Sequence, residues 1–247
     1  MSEEVSETAS EAVSAEFRQG LAQLGLSTEV ESAFLLYRRE LLTWNTRFNL
    51  TAIKDPEEVL TKHFLDSLSL LQAYPNQSAI HILDIGSGAG FPGIPLKIVR
   101  PQWHLTMIEA TGKKITFLQH IVDTLKLSNV EIMQGRAEDI AHKREYRGHF
   151  DLVTARAVAA LPALLECSAP FCRTGGMLIL PKKGNIDDEI MQGKRAANLL
   201  GTRLKANVAV TLPTLEDGRR LQVWEQYKAC PLQYPRTWAA LTKNPLS

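Results

Sequence analysis

The stretch IHILDIGSGAGFPG, residues 80–93, decides how this chain folds. Ile80 to Ile85 is a short apolar run that suits a strand. Gly86, Gly88, Gly90 and Gly93 then crowd into eight positions, and Ile94 to Val99 is compatible with a helix. Glycine tolerates the sharp turns and close backbone approaches that other residues resist. A strand, a glycine turn and a helix N-terminus in succession are how α/β folds seat a nucleotide-like ligand. The spacing departs from the dinucleotide pattern G-x-G-x-x-G. Counted from Gly86, the third glycine would be residue 91, which is Phe91; counted from Gly88 it is Gly93, but the turn then opens later.

Asp84 is the second departure. A carboxylate at the strand end would repel a pyrophosphate and suits a ligand with positive charge, such as a sulfonium. An acid followed by G-x-G-x-G after the first strand resembles motif I of the class I S-adenosylmethionine (SAM) methyltransferases. That resemblance implies a cofactor site around Asp84, Gly86, Gly88 and Gly90. Glu109 ends the next apolar run, His104 to Glu109. An acid there can accept ribose hydroxyls in either an NAD or a SAM site.

Outward from this stretch, composition sets the class. The chain has 247 residues, 45% hydrophobic and 22% charged, as in an ordinary soluble globule. Lys and Arg total 28 against 27 Asp and Glu, so net charge is neutral on a nucleic-acid partner. Its distribution is not. Residues 1–16 carry only acidic charges, whereas Lys113-Lys114, Lys143-Arg144, Lys182-Lys183 and Arg219-Arg220 make the remaining body moderately basic. No apolar run approaches the roughly 20 residues that span a bilayer. The start lacks the basic-then-apolar layout of a signal peptide. Cys167, Cys172 and Cys230 are too few and irregular for a disulfide framework or a zinc site. A cytoplasmic protein without metal, membrane or obligate protein partner is expected.

Four segments follow: an acidic disordered leader over 1–12, a helical extension over 13–75, an α/β domain over 76–230 and a tail over 231–247. In the extension, Phe17, Leu21 and Leu24 form a short helical stripe ending near Gly25. Thr28 with Glu31 matches a capping box. Phe34, Tyr37, Leu41, Trp44 and Phe48 recur at helical spacing. Asp55-Pro56-Glu57-Glu58 starts another helix, with Asp55 as cap, Glu58 closing its box, and Leu60, Phe64, Leu68 and Leu71 on one face. Beyond residue 80, strands are expected at 80–85, 104–109, 130–133, 150–155 and 177–180, with helices between them, the clearest over 111–125. Two more, at 206–212 and 221–227, flank a turn. The pattern predicts a Rossmann-like, mainly parallel sheet with an antiparallel C-terminal edge. There are no internal repeats.

The segment after the fourth strand, Thr154-Ala155-Arg156-Ala157, carries acceptor chemistry in methyltransferases. It lacks the Asn/Asp-Pro-Pro-aromatic run of exocyclic-amine enzymes. It also lacks a nucleophilic cysteine, because Cys167 and Cys172 fall in the next helical segment and suit the core. The acceptor should need neither covalent catalysis nor a strong base. Guanine N7 is one such atom, and its methylation asks for alignment and electrostatic control.

At this point the chain resembles the RsmG (GidB) family, which methylates guanine N7 in the 530 loop of 16S ribosomal RNA (guanine 527 in the family). The matching segments are Trp44-Asn45 through Asn49-Leu50-Thr51, His63-Phe64-Leu65-Asp66-Ser67, Asp84 through Pro95, Gly112-Lys113-Lys114, Arg136-Ala137-Glu138, Thr154-Ala155-Arg156-Ala157 and Lys183-Gly184. The resemblance implies that Gly86, Phe91, Ala137, Glu138 and Arg156 line the SAM site. It makes Arg156, His63 and Asn49 candidates for catalysis, and Arg136, Lys183 and Arg220 candidates for contact with 16S rRNA or the small subunit, the last two on loops near the strand C-termini. His63 could equally brace the extension on the core, and Asn49 could cap a turn. Alternatives sharing these motifs are a methyltransferase of another RNA or a small molecule, a SAM-binding scaffold without activity, and an NAD oxidoreductase. The leader and the tail, with Trp238, have no assigned role.

Overall fold

The computed structural model describes residues 12–76, 78–156, 159–184, 186–215 and 217–246. The expected leader, Ala12 excepted, lies outside them, as does Ala157. One seven-stranded sheet organises the molecule: β1 (His81–Ile85), β2 (His104–Glu109), β3 (Val130–Gln134), β4 (Phe150–Ala155), β5 (Cys172–Lys183), β6 (Thr202–Ala209) and β7 (Arg219–Gln226). Its order is β3-β2-β1-β4-β5-β7-β6. Strands β1 to β5 are parallel, and β7 is antiparallel to both β5 and β6. The order reverses between β1 and β4, and in such sheets ligands bind outside the strand C-termini at that crevice.

The mainly parallel sheet with its antiparallel C-terminal edge agrees with the sequence. Within that edge β7 inserts between β5 and β6. Its Leu221, Gln222, Val223 and Trp224 are buried, whereas β6 carries Arg203, Lys205 and Asn207 and suits an exposed edge. Strand β5 begins at Cys172, so that cysteine opens a strand rather than lying in a helix. Its other end reaches Lys183, which places Lys183 and Arg220 within paired strands rather than on loops.

Helices cover both faces. One core holds α1 (Ala15–Gln23), α2 (Glu31–Phe48), α5 (Gly93–Val99) and α6 (Gly112–Thr124) on one face of the sheet. The other holds α7 (Ala137–Ile140), α8 (Leu161–Ser168), α9 (Asp187–Leu200) and α10 (Trp238–Lys243). The extension shares its core with the sheet: Phe17, Phe34, Phe64, Tyr37 and Phe91 form a chain of ring contacts with centroids 4.9–5.6 Å apart.

Side-chain caps start α1 and the turns that follow Ser27 and Asp55. Asp55 Oδ1 accepts from the Glu57 and Glu58 N–H groups at 2.9 Å, as its position predicts. Glu58 does not close a box; it pairs with Lys62 one turn on. The Thr28–Glu31 box is also absent, because Ser27 caps that turn through the Glu29 N–H at 3.2 Å. From Asp55 onward, α3 (Pro56–Glu58), a π-helical stretch (Val59–Leu65), α4 (Asp66–Leu68) and a 3-10 turn (Ser69–Gln72) run on as one helical rod. π-Turns recur at functional sites, and this one carries His63.

Candidate active site

Two cavities open along the strand C-termini, one to each side of the β1–β4 crevice. The first, about 230 Å³, is bounded by Gly86, Glu109, Ala137, Glu138, Cys167 and Trp238. Gly86 and Gly88 have φ of 68° and 61°, a region costly for any residue with a Cβ. A Cβ at Gly88 would meet only the Gly86 carbonyl, at 3.9 Å, so the backbone there faces open space. Glu109 Oε2 accepts the Gly88 N–H and Oε1 the Thr111 N–H, both at 2.9 Å. Each carboxylate oxygen keeps a lone pair for a further donor. With the buried Glu138 in the opposite wall, the cavity offers acceptors for a diol and for an exocyclic amine. That set fits a nucleoside.

The glycine turn is gripped from the far side. Tyr37 of α2 donates its hydroxyl to the Ala89 carbonyl, and burial raises its pKa well above the usual phenol value. A Cβ on Gly90 (φ 98°) would lie 2.6 Å from that hydroxyl and 2.5 Å from Ile94 Cδ1. Asp84 is fully buried, and its Oδ2 accepts the Gly93 N–H at 2.9 Å. Burial pushes its carboxyl up to about 7, against the pull of that N–H.

The second cavity, about 440 Å³, lies between the helical rod and strands β5 and β7. Lys62, Arg156, Lys182, Lys183, Arg219 and Arg220 line it, six cations against the single carboxylate of Asp66. Antiparallel register places Lys182 opposite Arg220 and Lys183 opposite Arg219. Like charges directly opposed repel, and neighbours offset the cost. Asp66 receives Arg156 on Oδ2 and Arg219 on Oδ1, both at 2.7 Å. Asp217 pairs with Lys183 and Arg219, and Glu189 with Lys182. Arg220 is held by a neutral partner, Asn207, at 2.7 Å.

His63 sits behind this cluster, its ring stacked on Phe91 at 4.4 Å. Arg156 approaches its Nδ1 at 3.3 Å. Arginine only donates, so Nδ1 accepts and Nε2 carries the hydrogen, which goes to Thr51 Oγ1 at 2.7 Å. Burial first, and the Arg156 charge second, lower the His63 pKa to about 3. The imidazole is neutral at physiological pH. Asn45 fixes Thr51 through its backbone, donating to the carbonyl at 3.0 Å and accepting the N–H at 2.9 Å.

Known proteins resemble this chain over most of its length. Residues 30–216 match the family described as rRNA small subunit methyltransferase G, GidB. A Ribosomal RNA small subunit methyltransferase G from Dehalococcoides mccartyi is 45% identical over 92% of this chain and 97% of its own. Its namesake from Streptococcus pneumoniae is 41% identical over 90% and 94%.

The chain belongs to the rRNA small subunit methyltransferase G family.

Among solved structures, a mutant of MtNAS in complex with S-adenosylmethionine shares 16% identity. Its TM-score is 0.51, with 87% of this chain and 84% of that chain covered. M. jannaschii TYW2 in complex with AdoMet, 19% identical, has a TM-score of 0.50 over 64% and 72%. At these identities the likenesses bear on the α/β fold alone.

Set on that family frame, Gly86, Glu109, Ala137, Glu138 and Arg136 meet in the first cavity, and His63, Arg156, Lys183 and Arg220 in the second. Gly88 borders the first through its N–H to Glu109. Five expected residues take other places. Arg156, expected at the SAM site, lines the second cavity. Asp84 lines neither cavity and anchors the turn from beneath. Gly90 is glycine because Tyr37 and Ile94 leave no room for a Cβ. Phe91 lines neither cavity and is buried in the aromatic chain, under the Arg156 guanidinium at 5.1 Å. Asn49 also lines neither; it ends α2 in a left-handed conformation, φ 49°. Asn45, Thr51, Asp66, Arg219 and Lys182 join the site without having been singled out. The W-N-x-x-x-N-L-T and H-x-x-D-S segments held the signal for the first three, since they brace one another across the extension. Among the described residues, no His, Cys, Asp or Glu cluster could hold a metal, and no helix is long and apolar enough to cross a membrane.

Proposed function

We propose that this chain transfers a methyl group from S-adenosylmethionine to N7 of a guanine in the 530 loop of 16S rRNA, the position numbered 527 in the family. The observation that carries this reading is the second cavity, whose six cations suit a polyanion and whose one imidazole is held neutral. Its one carboxylate is neutralised by two arginines. Such a site binds phosphates and orients a base, and has no side chain poised to take a proton. Guanine N7 bears none to remove.

The cofactor supplies an electrophilic sulfonium methyl. In the first cavity, Glu109 is placed to accept ribose hydroxyls, and Glu138 with the Ala137 N–H to meet the adenine edge. Arg156, aligned by Asp66 and His63, stands at the crevice joining the cavities and orients the acceptor purine. Lys182, Lys183, Arg219 and Arg220 hold flanking phosphates, and Arg136, exposed beside the first cavity, extends the basic track. Single-stranded loops expose the base edges that duplexes hide. The substrate places the reaction in the cytoplasm.

The target atom is tested with a 16S rRNA fragment transcribed with 7-deazaguanosine in place of guanosine. Transfer from labelled S-adenosylmethionine to the ordinary transcript and none to the deaza transcript is expected. Equal transfer to both would refute N7 as the acceptor.

A further inference from the structure

The C-terminal tail is built into the first cavity. Arg236 spends its guanidinium on Glu166 of α8, at 2.8 and 2.6 Å, and its N–H on the same carboxylate at 2.8 Å. Glu166 is fully buried, and a buried carboxylate is costly unless paired, so the tail is required to keep α8 stable. Arg147 donates to the carbonyls of Pro231 at 2.7 Å and Tyr234 at 2.8 Å. His142 lies 3.0 Å from the Pro235 carbonyl. Leu241 of α10 is fully buried in the core on that face. These anchors deliver Trp238, the first residue of α10, half-buried, to the wall of the cavity that Cys167, Glu109 and Ala137 also line.

We infer that Trp238 is a cofactor-binding residue, giving the adenosine moiety of S-adenosylmethionine an aromatic wall contributed by the tail. The inference rests on the cofactor reading above. Three features support it. Among the described residues, the indole is the one aromatic side chain bordering this cavity. It is half-buried while the tail around it is clamped, so its position is set before any ligand arrives. The polar groups of the cavity suit a ribose and an amine but leave the flat faces of a purine without a partner. An aromatic ring meets that need by stacking. The matched family region ends at residue 216, so this wall lies beyond it.

The test is S-adenosylhomocysteine binding to the full chain and to Trp238→Ala and Trp238→Phe, by calorimetry and tryptophan fluorescence. Trp238→Ala should weaken binding by about ten-fold or more, and Trp238→Phe should stay within about three-fold of the parent. The parent's fluorescence should change on binding and that of Trp238→Phe should not, since Trp103 and Trp224 are buried elsewhere and Trp44 lies against Phe117 and His120. Should Trp238→Ala fail to fold, the fluorescence of Trp238→Phe decides alone. Parent-like affinity in a folded Trp238→Ala, or an unchanged fluorescence response in Trp238→Phe, overturns the inference and leaves the cofactor reading intact. Absence of binding to the parent overturns both.

Discussion

Asp84, His63 and Arg156 show how single side chains are assigned their work by what surrounds them. Asp84 keeps its proton when folded at pH values where the unfolded chain has lost it, because its carboxyl is raised from 3.8 to about 7. Its contribution to stability is therefore complete below pH 3.8 and lost as pH rises through about 7. Comparing thermal melts of the parent and Asp84→Asn should show the variant gaining on the parent steadily from pH 4 to pH 8. A difference flat with pH would mean that the carboxyl is not perturbed. His63 works in the opposite sense: its pKa falls to about 3, so its contribution is present above 6.5 and fades as pH drops towards 3. Being common to both proteins, it largely cancels in that comparison. Arg156 lines the second cavity and not the first. Arg156→Lys keeps the charge and loses the fork that spans Asp66 and His63. Methyl transfer should fall by about ten-fold or more, while S-adenosylhomocysteine affinity changes by less than about three-fold.

At the scale of elements, the β5–β7 ladder matters most. Its register sets four basic side chains in two facing pairs at the C-terminal end of β5, where the proposed acceptor would dock. Lys183→Ala with Arg220→Ala should weaken binding of single-stranded rRNA and reduce the slope of log affinity against log salt by about 1.4, or roughly 0.7 per phosphate contact. Filter binding across a salt series measures it; an unchanged slope would remove both residues from the RNA interface. This ladder also marks where sequence reasoning stopped. Lys183 and Arg220 could be suspected singly, because basic residues near strand ends are visible in a linear chain. Their cross-strand partners, Arg219 for Lys183 and Lys182 for Arg220, could not, since these depend on β7 pairing with β5. Arg219 and Asp66, 153 positions apart, meet only in the fold. Glu109 was legible because it ends a strand whose apolar run announces it, and Ala137 and Glu138 because they follow such a strand into α7. That Gly90 and Phe91 lie away from both cavities was not legible. The glycine turn has two sides, and the sequence does not say that Tyr37, on a helix 52 positions earlier, occupies one of them.

On the scale of the whole molecule, the site is a product of three parts folded as one. The sheet supplies the strand ends, the helical extension locks the glycine turn and presents His63 and Asp66, and the tail closes the first cavity with Trp238. The extension was readable as helices; its sharing a core with the sheet was not, because amphipathic faces do not name their partners. The arrangement joins a nucleoside-sized cavity to a basic, base-free one across a single crevice, and that juxtaposition is the central claim. Its most direct measurement maps N7-methylguanine by chemical cleavage in 16S rRNA and in small ribosomal subunits from cells lacking this gene, before and after incubation with the protein and S-adenosylmethionine. One new N7-methylguanine, in the 530 loop, is expected in at least one of the two substrates. Methylation at another atom or another loop, or none in either substrate from a protein that binds the cofactor, would contradict it.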